Sequence, residues 1–151
     1  MLIEIDLQQY QNQLQIKHEQ DNTYIFDPIR KNWLVLLPEE LVRQLVLQHL
    51  LLTLDYKKTH IKTESGLKVN QLQKRSDLLC FDHDVKPYLL IECKAPQVKI
   101  QEAAFWQTVN YNQTLRAPYI VVTNGVRTFC CQMDYKEGQH QFLPTFPKAP
   151  F

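Results

Sequence analysis

The chain has 151 residues, 44% hydrophobic, 22% charged and 11% aromatic, with a net charge of +1, a balance that suits one domain with a buried core. No apolar run approaches the roughly 20 residues that cross a bilayer, and the opening MLIEIDLQQYQNQ turns polar and acidic too soon for a secretory signal. With only three glycines, no Gly-rich phosphate loop of the Walker or dinucleotide type can be drawn, which excludes ATPases and nicotinamide enzymes. Cys80, Cys93, Cys130 and Cys131 stand without CxxC spacing, so neither structural zinc nor a disulfide framework is expected. The thiols read as reduced packing residues of a cytoplasmic protein.

In chain order, residues 1–22 are Gln-rich and weakly patterned, predicting an early strand or a loose arm. TYIF and NWLVLL read as extended segments around a turn started at Asp27-Pro28. PEELVRQLVLQHLLLTL is the clearest helix: Pro38 suits its first turn, Glu39 and Glu40 its positive end, and Leu41, Val42, Leu45, Val46, His49 and Leu52 recur at helical spacing. KTHIKTE, Gly66 and LKVNQLQ predict strand, turn and strand or extended arm. From Asp55 to Arg75 the basic Lys57, Lys58, Lys62, Lys68, Lys74 and Arg75 are offset only by Asp55 and Glu64. A basic surface there is compatible with phosphate contacts, and equally with a solvated charged face.

Two apolar strands follow, in RSDLLCF and PYLLIECK, joined by the polar turn DHDVKP. QEAAFWQTVNYNQTL predicts an amphipathic helix ended by Pro118, YIVVTNG a buried strand closed by Asn124-Gly125, and VRTFCCQM its partner. The Pro- and aromatic-spaced tail, residues 142–151, is expected to lie extended over the body. A helix between YLLIECK and YIVVTNG is the crossover that a parallel strand pair requires. The expectation is a single α/β domain, a sandwich around a mixed sheet.

The charges at the strand ends carry the chemistry. Strand alternation puts Leu90, Glu92 and Lys94 on one face, so Glu92 and Lys94 project together. If RSDLLCF pairs with that strand as a hairpin, Asp77 lies beside Glu92. Two adjacent carboxylates repel unless a cation sits between them. An oxygen-rich, incomplete shell suits Mg²⁺, and Lys94 is placed to orient or deprotonate a water or to neutralise a phosphate. Without further context, an ExK after a strand is more often a surface ion pair, but the preceding Asp and the following helix reverse those odds.

Asp77 followed fifteen positions later by Glu92-Cys93-Lys94 resembles the PD-(D/E)xK nuclease superfamily. The similarity is closer to the N-terminal nuclease domain of type I restriction enzyme R subunits, through DPIRKNW leading into PEELVRQ, RSDLLCF, and the Gln107-x-x-x-Tyr111 of QTVNY. The resemblance runs from Asp27 to Gly125, with Ser76 where the superfamily's name has Pro. It implies a restriction-endonuclease-like fold, a mixed sheet flanked by helices, and a DNA endonuclease dependent on Mg²⁺ or Mn²⁺. It also implies Asp77 and Glu92 as metal ligands, Lys94 as catalytic lysine and a helix carboxylate from Glu39 or Glu40. Glu39 is favoured because it shares a face with Val42 and Val46. Gln107 and Tyr111 would lie near the active site or on DNA, with Lys62, Lys68, Lys74 and Arg75 tracking the backbone.

Type I R subunits continue into a translocating ATPase, whereas this sequence stops at Phe151. Translocation is therefore expected to be absent or supplied in trans by a motor or specificity subunit; a homodimer is also compatible. The alternative is a non-catalytic nucleic-acid-binding or protein-interaction module on the same fold. Asp82, His83 and Asp84 read as turn chemistry, His49 as a satisfied core histidine, and Trp33 and Trp106 as core or cover. Arg30 and Lys31 are left open between holding the site and holding a phosphate.

Overall fold

A computed structural model describes residues 2–69 and 72–151, apart from the side chains of residues 64–77 and 111. Its strands are β1 (Leu2–Glu4), β2 (Ile16–Glu19), β3 (Asn22–Asp27), β4 (Asn32–Val35), β5 (Ile61–Val69), β6 (Leu72–Phe81), β7 (Pro87–Cys93), β8 (Tyr119–Thr123), β9 (Arg127–Asp134) and β10 (Gln139–Phe142). Two α-helices interrupt them, α1 (Pro38–Leu52) and α2 (Glu102–Tyr111), with a 3-10 helix at Gln8–Gln13 and a 3-10 turn at Lys58–His60.

The main sheet has seven strands in the order β1-β9-β8-β7-β6-β5, with β10 also on β9. β7 and β8 are parallel, Leu89 beside Tyr119 through Cys93 beside Thr123, and α2 supplies the crossover between them. The remaining pairings of this sheet are antiparallel, so the sheet is mixed. β1 and β10 share one edge of β9 end to end, covering backbone groups that would otherwise invite foreign pairing. A separate antiparallel sheet, β2-β3-β4, packs Ile25 and Asp27 inward.

Alternation along the central strands divides the core. Leu89, Ile91, Cys93 and Val121 turn to α1, joining Val42, Leu45, Val46 and Leu50. On the other face, Ile120 and Val122 meet Phe105 and Val109 of α2. Each fully buried side chain of this size contributes about 1.5–3 kcal/mol, so the two helices clamp the sheet from opposite sides. The tail covers the α1 face as expected: Phe146 is buried, Tyr56 Oη donates to the Pro147 carbonyl at 2.8 Å, and Ala149 N donates to the Leu54 carbonyl at 3.0 Å. All four cysteines are buried and outside any disulfide, and burial pushes the Cys130 thiol up to about 12.

Two expectations need correction, and one strand was not anticipated. β5 does not turn at Gly66 but runs on to Val69, with Gly66 opposite Arg75, because a glycine inside a strand needs no positive φ to be accommodated. α2 stops at Tyr111, well before Pro118: Asn112 still donates its amide to the Thr108 and Val109 carbonyls but leaves helical geometry at φ −88° and ψ 4°. The segment after β9 returns as β10, a hairpin not anticipated because its turn, Tyr135–Gly138, lacks the usual apolar alternation on the returning strand. Among the described residues, no helix is long and apolar enough to cross a membrane.

Candidate active site

Glu92 sits one residue before the end of β7, on the same face as Leu90, which packs with Leu79 and Ala117. Its carboxylate keeps 18% side-chain exposure and Lys94 keeps 35%, with Lys94 Nζ 3.5 Å from Glu92 Oε1. That distance is a loose ion pair rather than a well-formed hydrogen bond. Beyond β7 the backbone holds its course, because Lys94 N donates to the Thr123 carbonyl at 2.8 Å. The parallel pairing with β8 thus fixes where the lysine leaves the sheet. Glu92 Oε2 accepts from the Thr108 hydroxyl of α2.

β6 approaches from the other side, with Leu78 opposite Ile91 and Leu79 opposite Leu90. One step along that register brings Asp77 beside Glu92, the neighbourhood that the hairpin argument expected. The side chain of Asp77 lies outside the described residues. So do those of Lys68, Lys74, Arg75 and Tyr111, of which the first three occupy the β5–β6 hairpin and Tyr111 the last turn of α2. Lys62 is exposed, its ammonium 5.7 Å from the centre of the Phe81 ring. Gln107 is exposed, on α2 immediately before Thr108.

The start of α1 reaches the same end of the sheet. A Cβ added at Gly125, in the turn after β8, would lie 3.2 Å from Val42 Cγ2. The two candidate helix carboxylates differ there. Glu40 accepts from Arg43 through both guanidinium nitrogens, Nε at 2.8 Å and Nη2, and from Gln44 Nε2 at 3.1 Å. Glu39 is exposed and does not follow Val42 and Val46 inward, because it precedes the turn at which the helix meets the core.

The β3–β4 turn closes this end. Asp27 is fully buried and its Oδ1 accepts from the Ile29 and Arg30 amides at 2.8 and 3.2 Å. Arg30 Nε donates to Thr63 Oγ1 at 3.0 Å, and Thr63 is paired with Leu78, the residue after Asp77. Arg30 is therefore tied to β5 on the face that Leu78 and Ile91 share with α1, the opposite face from Glu92.

Asp82 forms the β6–β7 turn, its Oδ1 accepting from the Asp84 and Lys86 amides at 2.9 and 3.0 Å. His49 accepts or donates to Tyr10 Oη at 2.7 Å inside the core. Both fit the structural roles their contexts suggested. Among the described residues, which leave out the Asp77 side chain, no three His, Cys, Asp or Glu side chains gather as a metal cluster. Thr108 is the site residue that sequence reasoning missed. Its signal was present: Phe105, Thr108, Val109 and Asn112 form the inner stripe of α2, and a threonine on a dry stripe needs a partner.

The family model for the type I restriction enzyme R protein N terminus (HSDR_N) matches residues 38–147. No curated protein matches the chain significantly. Among solved structures, the chain is similar to a fragment described as the HsdR subunit of a type I restriction enzyme from Vibrio vulnificus YJ016, at 21% identity and a TM-score of 0.55. The match covers 74% of this chain and 24% of that one, so this chain spans about a quarter of its structural relative. The shared architecture is the restriction-endonuclease-like α/β fold, a mixed sheet between two helices.

Proposed function

The chain belongs to the family of the type I restriction enzyme R protein N terminus, and from that premise we propose that it is a metal-dependent DNA endonuclease domain hydrolysing phosphodiesters. The observation that carries this reading is the pairing of Glu92 with Lys94 at one sheet end, where the β6 register sets Asp77 beside Glu92. Hard carboxylate oxygens, one of them only loosely engaged, fit Mg²⁺ or Mn²⁺. Glu92 and Asp77 would hold the ion, with Glu39 or Glu40 as the helix carboxylate. When bound, the ion lowers the pKa of a water and offsets charge on the phosphate.

The chain's own residues do the rest. Lys94 is half-buried and only loosely paired with Glu92, so its ammonium can donate to a non-bridging phosphate oxygen. Water oxygen bonds to phosphorus, the P–O bond to the leaving sugar oxygen breaks, and the proton lost by the water balances the one taken by the leaving oxygen. Lys62, Lys68, Lys74 and Arg75, on the antiparallel β5–β6 hairpin, would track the DNA backbone. DNA and the other subunits of a type I system are the partners this reading implies.

A second reading, a non-catalytic DNA-binding or protein-interaction module, is favoured by the near-neutral net charge of +1, which gives weak general attraction to phosphate. Calorimetric titration with Mg²⁺ or Mn²⁺ on wild type and Asp77→Asn, then plasmid cleavage with the same samples, separates the two. Metal binding weakened by Asp77→Asn together with nicking supports the nuclease. DNA binding indifferent to EDTA, with no cleavage, replaces it with the second reading.

A further inference from the structure

We propose that Thr108 is a positioning residue for Glu92: its hydroxyl pins Oε2 and thereby presents Oε1 to Lys94 and an incoming divalent cation. This rests on the reading of Glu92 as a metal ligand.

The Thr108 hydroxyl has one proton and two acceptors in reach, the Ala104 carbonyl at 3.2 Å and Glu92 Oε2. A threonine within a helix ordinarily donates back to the carbonyl four residues earlier. Here that carbonyl already receives the helix amide of Thr108 itself, while the carboxylate is charged and the stronger acceptor. The proton therefore goes to Glu92. Thr108 is 4% exposed and lies between Phe105 and Val109 on the stripe that packs against the sheet, so the backbone beneath the hydroxyl is fixed by the core.

The two carboxylate oxygens are thus unequal. Oε2 is anchored to α2, and Oε1 faces a lysine 3.5 Å away with 35% of its side chain exposed. A free glutamate samples several rotamers and must surrender them on binding an ion. One already anchored has less to surrender. Groups that orient a metal-binding carboxylate commonly set affinity by about 10- to 100-fold.

The test uses the full chain and three variants. Mn²⁺ binding is measured by calorimetry, thermal melting reports the fold, and Mg²⁺-dependent plasmid nicking reports activity. Thr108→Val keeps the shape and removes the proton, and is expected to bind Mn²⁺ about 10- to 100-fold more weakly with melting close to wild type. Thr108→Ser restores the donor and should restore binding. If Thr108→Val does not fold, Thr108→Ala takes its place. Wild-type affinity in the hydroxyl-free variant overturns the proposal, as does Thr108→Ser binding as weakly as Thr108→Val, since shape alone would then matter. Failure of wild type to bind Mn²⁺ is a different result, because it removes the nuclease reading and this inference with it.

Discussion

Two carboxylate–cation pairs mark this end of the molecule, and they are built in opposite ways. Glu40 and Arg43 lie one helical turn apart on α1, joined through a guanidinium fork, with side chains 10% and 2% exposed. Glu92 and Lys94 lie two residues apart on an extended strand, 3.5 Å from each other, 18% and 35% exposed. In the first pair each charge has been withdrawn from water and depends on the other. In the second, water can still reach both partners, so exchanging one for a cation or a phosphate costs little. A closed pair locks an element; an open pair is available for chemistry.

The sharpest way to break this contrast is to remove one member of each. Arg43→Ala should cost about 3–5 kcal/mol in urea unfolding, because Glu40, nearly buried, is left without its cation and with only the neutral Gln44 donor; a loss below about 1 kcal/mol would place the pair with ordinary surface bridges. Lys94→Ala should change stability by no more than about 1 kcal/mol yet lower cleavage by about 100- to 1,000-fold. An unaltered cleavage rate would return Glu92 and Lys94 to the status of a surface pair.

Gly125 tests whether α1 is fastened to the same end of the sheet. Its φ of +93° and the 3.2 Å approach of an added Cβ to Val42 both oppose a side chain, so Gly125→Ala should destabilise by about 1–3 kcal/mol. A neutral result in thermal melting would mean that α1 moves aside without loss.

The smallest effect lies outside both pairs. Burial holds the His49 pKa below its ordinary 6.5. As pH falls, the unfolded chain takes up this proton before the folded one does, so the contribution is present above about pH 6.5 and lost as pH drops through the folded value. Melting temperature should fall less between about pH 7 and about pH 5 in His49→Gln than in wild type. Parallel curves would show that His49 takes no part.

The contrast also explains which parts of the site were legible. Glu92 and Lys94 were readable because strand alternation is geometrically strict and the backbone keeps its course one residue past β7, where Lys94 N donates to the Thr123 carbonyl. Asp77 was placed by hairpin length, and the β6–β7 register puts it where that length implied. The helix carboxylate resisted because Glu39 and Glu40 precede the first buried turn, where helical phase alone does not say which residue the core draws in. Arg43 and Gln44 engage Glu40, and Glu39 stays exposed, through contacts that no pattern of apolar residues reports. Thr108 was overlooked because its neighbours Gln107 and Tyr111, spaced i and i+4, offered a more familiar pair.

By itself the sequence determined the order of helix, three strands, helix and two strands, the parallel step across α2, and the exit of Glu92 and Lys94 from one strand end. Those follow from local rules, the period of a strand, the period of a helix and the length of a crossover. Tertiary structure alone decided that β1 and β10 share the edge of β9, that β5 runs through Gly66, and that a hydroxyl of α2 grips the Glu92 carboxylate. Each of these depends on segments distant in the chain meeting in space, and distance along the chain carries no geometric rule to foretell it.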